Sequence, residues 1–259
     1  MGLRFAIAAA VLLTLAPFFG VRFEGGRRAW RMWLVNMVFT FCISYGLLYW
    51  AEQWVPSGLA AVLFATFPLF VALLAHFVLP GERLTPVGFL GVVIGFAGVA
   101  VIYSEDFGKL LGPQVAFAST VLLLCPICSA IGSVGVKKWG AGIHPLLTAA
   151  VPMGLTGLVM TSGALTFEGT EGIHLAPAPV AALFYLALVG SALPFTLYFW
   201  LLKRLRATQL SMINYIVPIV AVIVGALFMS EPVTLRVVAG TALVIAGVVV
   251  ATRAKAQPA

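Results

Sequence analysis

The stretch GERLTPVGFLGVVIGFAGVAVIY, residues 81–103, returns as SEPVTLRVVAGTALVIAGVVVAT at residues 230–252. In one register Glu82 falls on Glu231, Thr85 on Thr234, Gly91 on Gly240 and Gly98 on Gly247. The likeness extends upstream at a constant offset of 150 residues, with Tyr45 on Phe195, Leu47 on Leu197, Trp50 on Trp200 and Pro68 on Pro218. Apolar helices resemble one another by composition alone. Matched Glu, Thr, Gly, Trp and Pro in one frame point instead to an internal duplication.

What is duplicated is membrane-spanning. Of the 259 residues, 62% are hydrophobic and 9% charged, against about 25% charged in a soluble domain. The apolar runs are long enough to cross a ~30 Å hydrocarbon core as helices. They do not alternate polar and apolar residues as barrel strands would. Nine spans are predicted, at 3–21, 32–51, 58–79, 86–103, 113–136, 145–165, 178–202, 207–229 and 235–252. The fold class is therefore an all-α polytopic membrane protein.

Charge sets an orientation. Twelve of the 15 Lys and Arg fall after the first, third, fifth, seventh and ninth spans, leaving only Arg4, Lys109 and Arg236 on the other side. The positive-inside rule makes the C-terminus cytoplasmic and the N-terminus of this chain external. The opening MGLRFAIAAAVLLTLAPFFG is read as a retained span and not a signal peptide, because no small-x-small cleavage pattern closes it. The net charge of +7 is thus a topology signal and implies no nucleic-acid partner.

Five spans separate Glu82 from Glu231, so the second copy is inverted relative to the first. Inverted repeats are a construction of secondary transporters, whose two similar halves open alternately to each side. The boundary is placed between residues 1–107, with four spans, and 108–259, with five.

The doubled pattern of Trp50, Pro68, Glu82, Gly91 and Gly98, then Trp200, Pro218, Glu231, Gly240 and Gly247, resembles the EamA family of the drug/metabolite transporter superfamily. That resemblance covers essentially the whole chain. It implies a 5+5 arrangement, of which this chain shows 4+5, with GLRF similar to the start of the family's second helix. It also implies export of a small metabolite, amino-acid-like or amphipathic, across the cell inner membrane. A non-transporting accessory subunit and a lipid-carrier flippase are the competing classes. The partners are the lipid bilayer and a small-molecule substrate, with the protein a monomer or homodimer.

Several residues are candidates for the work. The eighth span carries Ser211, Asn214, Tyr215 and Pro218 at helical spacing, and the seventh Ser191, Pro194, Phe195 and Tyr198. The second contributes Ser44 and Tyr45, the third Pro68, and the fifth Pro126 and Ser129. A mostly apolar cavity with scattered hydroxyls and one amide would use such groups, with Ser44, Tyr45, Pro68, Ser129, Ser191, Phe195, Tyr198, Asn214, Tyr215 and Pro218 meeting substrate. The same groups would also serve plain interhelical hydrogen bonding. Gly91, Gly98, Gly240 and Gly247 sit two turns apart and are read as packing the fourth span against the ninth. Glu82 and Glu231 are read as carboxylates at helix starts.

No Asp, Glu, Lys or Arg is expected at mid-depth in the spans. The pair Cys125 and Cys128 lacks further ligands and reads as structural, around a kink at Pro126. No nucleophile–base pair, metal cluster or phosphate loop is visible. Neither catalysis, a metal nor a cofactor is expected.

Overall fold

The computed structural model describes residues 1–23, 25–55, 57–102, 104, 113–167, 176–216, 220 and 235–253. Among these residues every regular element is helical. Five helices are long and apolar enough to cross a membrane: α2 (Arg27–Ala51), α3 (Leu59–Val78), α5 (Pro113–Trp139), α6 (Pro145–Phe167) and α7 (Pro177–Leu202). Three shorter ones are α1 (Gly2–Leu15), α4 (Pro86–Ile102) and α9 (Leu235–Arg253). Of the eighth predicted span the structure describes the opening, α8 (Ala207–Ser211), and the turn that follows. Pro218, Glu231 and Thr234 lie outside the described residues.

Prolines decide where these helices break. A proline has no N–H to give the carbonyl four residues back, and its ring crowds that carbonyl. Pro68 therefore interrupts α3 after Phe64, where Thr66 Oγ1 donates to the Leu63 carbonyl at 2.7 Å and the helix resumes at Phe67. Pro126 interrupts α5 after Leu122 in the same way. Helix α1 ends early, at Leu15, because Pro17 opens a 3-10 turn closed by Gly20 at φ 62°, a left-handed conformation that favours glycine.

Two helices change pitch without breaking. Residues Asn36–Ser44 of α2 and Leu188–Ala192 of α7 are π-helical. Subtracting the repeat offset of 150 places Leu188–Ala192 on 38–42, inside the first segment.

The chain divides into two compact units. The first holds Met1–Cys42 and Gly135–Arg204, the second Ile43–Val134 and Leu205–Ala259. The first is organised on α1 lying against α6, with α2 and α7 packed alongside. Gly157 brings the pair close, since a Cβ there would sit 2.6 Å from Ala6 N. The second is organised on α4 against α9, with α3 and α8 packed together beside them. Its core gathers Val92, Val99, Ile102, Tyr215 and Val244. A separate cluster seats α5, through Ala118, Leu122 and Cys125, on Ala51, Val55 and Leu59.

Candidate functional site

Arg4 stands on the first turn of α1, and its side chain ends on the middle of α7. Nε donates to Ser191 Oγ at 2.6 Å and Nη2 to the Gly190 carbonyl at 2.8 Å. Gly190 is the fourteenth of 26 residues in α7, so each end of that helix is about 18–20 Å away. This corrects the sequence expectation of no mid-depth charge. The reason is a tertiary one. Helix α1 is short and its first residue lies against Thr161 of α6, six residues before that helix ends, so Arg4 starts well inside the span.

Local chemistry explains why the guanidinium stops there. Pro194 has no N–H to offer the Gly190 carbonyl, and Arg4 supplies a donor. Around the contact the rings are aromatic. Phe41 meets Phe5 edge-on at 5.2 Å and Phe195 at 4.9 Å, so one α2 side chain touches both α1 and α7. Tyr198 lies edge-on to Phe199 at 5.6 Å.

The first unit also contains polar groups that sequence reasoning passed over. Asn36 and Thr40 are buried in the π-helical part of α2, and neither side chain has a hydrogen-bond partner among the described residues. A buried amide or hydroxyl left so costs about 1–3 kcal/mol. The signal was present in the sequence as two polar residues four apart in an apolar run. Nearby, Cys42 Sγ donates to Thr156 Oγ1 at 3.6 Å.

In the second unit most of the singled-out residues are satisfied within the bundle. Ser44 Oγ donates to the Cys125 carbonyl at 3.0 Å and lies 2.8 Å from Ser129 Oγ, joining α2 to α5. Tyr215 is fully buried, and its hydroxyl donates to the Val92 carbonyl at 3.0 Å while its ring covers Gly95. Pro68 is buried in α3. Asn214 is half-buried, with Nδ2 donating to the Ser211 carbonyl at 3.1 Å, and Tyr45 is half-buried too.

Glu82 lies four residues before α4, and its carboxylate meets the start of α8. It accepts the Ala207 N–H at 2.7 Å, placing negative charge at a helix N-terminus. The glycines bring the α4 and α9 backbones together. A Cβ on Gly91 would fall 2.8 Å from the Gly247 carbonyl oxygen, and one on Gly98 would fall 2.7 Å from that of Gly240.

Near the end of α7, burial and then the charge of Arg204 lower the Lys203 pKa. His144, just before α6, is also pushed down, by burial and then by Lys203. Among the described residues no cluster of metal-ligating side chains forms.

The chain resembles known proteins over most of its length. It is 24% identical to the uncharacterized transporter YvbV of Bacillus subtilis, covering 90% of this chain and 75% of that one. It is 27% identical to the protein PagO of Salmonella typhimurium, covering 85% and 72%. A probable terminal-alkyne amino-acid exporter of Streptantibioticus cattleyicolor is 29% identical, over 80% of this chain and 68% of the other. A crystal structure 20% identical in sequence superposes with a TM-score of 0.81, covering 97% of this chain and 87% of that one, so the fold is shared. Matching at residues 1–104 and 116–253, the chain belongs to the EamA-like transporter family, a family of multi-pass membrane proteins.

Proposed function

We propose that this membrane transporter moves a small amino-acid-like or amphipathic compound outward across the inner membrane by alternating access, as a carrier and not an enzyme. The observation that supports this reading best is the pair of π-helical segments, Asn36–Ser44 and Leu188–Ala192, at corresponding places in the two sequence repeats, 1–107 and 108–259. A π-helical turn leaves backbone groups less tightly paired, and such turns concentrate at functional sites. Transporters of inverted-repeat design place their binding sites at irregular helices near mid-membrane. The relative from Streptantibioticus cattleyicolor, whose name is that of an amino-acid exporter, supports the substrate class and the direction.

Within this reading each unit by itself offers half-buried side chains as substrate contacts, Tyr45 and Asn214 in the second and Phe195 and Tyr198 in the first. The buried Ser44, Ser129, Ser191 and Tyr215 tie helices together, and Gly91, Gly98, Gly240 and Gly247 allow close packing. The test is release from vesicles. The full chain is reconstituted into liposomes loaded with the twenty amino acids and their deaminated analogues. At least one compound should leave faster than from protein-free vesicles. Release equal to that of protein-free vesicles for every compound would sink the proposal.

A further inference from the structure

Arg4 offers more than a structural tie. An arginine keeps its charge inside a protein, and a charge in the membrane interior is expensive enough that it marks function by default. Two of the Arg4 bonds, from Nε and Nη2, leave along one edge of the guanidinium. That edge presents two parallel N–H bonds, the geometry that matches the two oxygens of a carboxylate. Here it holds two neutral oxygens from different groups, Ser191 Oγ at 2.6 Å and the Gly190 carbonyl at 2.8 Å. The arrangement is a carboxylate site filled by the protein's own oxygens.

We propose that the Nε/Nη2 edge of Arg4 binds the carboxylate of the transported compound, a monocarboxylate with an apolar body. The inference rests on the transporter reading above. Exchange for a carboxylate is favoured because it sets a full negative charge, in bidentate geometry, against a guanidinium that now faces only the partial charges of two neutral oxygens. Ser191 and Gly190 lie in the π-helical turn of α7, whose backbone carbonyl is already released by Pro194, so the exchange breaks no α-helical bond. The apolar body is indicated by the Phe5 ring, 5.8 Å from the guanidinium carbon, and by Phe41 and Phe195, which continue the aromatic cluster from it. A second observation is independent of Arg4. Asn36 and Thr40 are buried without partners among the described residues, on the same π-helical segment of α2 that carries Phe41. They offer unspent polar capacity for another group on the ligand, such as an amine.

The experiment measures equilibrium binding to the full chain in lipid nanodiscs at neutral pH. The probes are 3-phenylpropanoate, 4-methylpentanoate, phenylalanine and leucine, each against its own amide. At least one acid should bind about tenfold or more tightly than its amide, the difference being the charged pair. Arg4→Gln should erase that difference. Ser191→Ala removes one competing oxygen while keeping the charge, and should tighten acid binding by about three- to tenfold and amide binding by less. A merely structural Arg4–Ser191 bond predicts no gain from Ser191→Ala.

The inference is overturned if no acid is preferred, or if the preference survives in folded Arg4→Gln. If Arg4→Gln does not fold, Ser191→Ala decides: acid binding unchanged or weakened overturns it. Vesicle release keeps the two readings apart. Acid binding through Arg4 without release fails the transporter reading and keeps the site. Release of amides or amines with no preference for acids fails the site and keeps the transporter.

Discussion

Gly98→Ala tests the helix pair at the heart of the second unit with a single methyl group. The added Cβ would lie 2.6 Å from Val244 N and 2.7 Å from the Gly240 oxygen, where about 3.5–4.0 Å is a comfortable separation. Both neighbours are backbone atoms, so no side chain can rotate away. Helix α9 must retreat by about 1 Å, which opens the interface along its length. Overpacking of this kind costs about 1–3 kcal/mol, of which about 0.5–1 kcal/mol is returned because alanine suits a helix better than glycine. The net loss is about 0–2.5 kcal/mol, centred near 1 kcal/mol, or about 2–4 °C in Tm for a chain of this size. Gly163 in α6 is the control, since nothing lies within 4 Å of a Cβ there. Gly163→Ala should gain about 0.5–1 kcal/mol. Thermal unfolding of both variants in mild detergent gives the comparison. A Gly98→Ala protein as stable as Gly163→Ala would refute close backbone packing at this crossing.

His144 Nδ1 accepts the Leu146 N–H at 3.3 Å on the first turn of α6, which requires that nitrogen to be unprotonated. Burial, then Lys203, lower its pKa below the ordinary 6.5, so its contribution is whole above that pH and is lost as pH falls through the folded value. Tm should therefore drop between about pH 7 and pH 5, and His144→Asn, which can still cap, should flatten the profile; an unchanged slope in the variant would refute it. For orientation, the positive-inside rule predicts a cytoplasmic α5–α6 turn, so Ala141→Cys should be shielded from an impermeant maleimide applied outside intact cells and Ala178→Cys should be labelled. The opposite labelling pattern would invert the assignment.

The parts of this fold that follow from local rules could be read before the structure. A proline acts on the carbonyl four residues behind it, so the breaks after Phe64 and Leu122 follow from Pro68 and Pro126. Membership in the family was legible for a related reason, since a repeat in fixed register survives drift in the apolar residues between its marks. What local rules missed depends on which helix lies beside which. Counting charge at span ends put Arg4 outside, because no periodicity reports that α1 begins six residues inside the end of α6. Glu82 was read with its own helix, yet after Gly81, at φ 81°, its carboxylate reaches Ala207, 125 residues away. The π-helical stretch Asn36–Ser44 contains no proline to announce it. Pro194 shows both limits together. From sequence it says that the Gly190 carbonyl has lost its helical donor, and it cannot say what replaces that donor. The replacement is a cation from another helix, Arg4, whose Nη2 reaches that carbonyl at 2.8 Å.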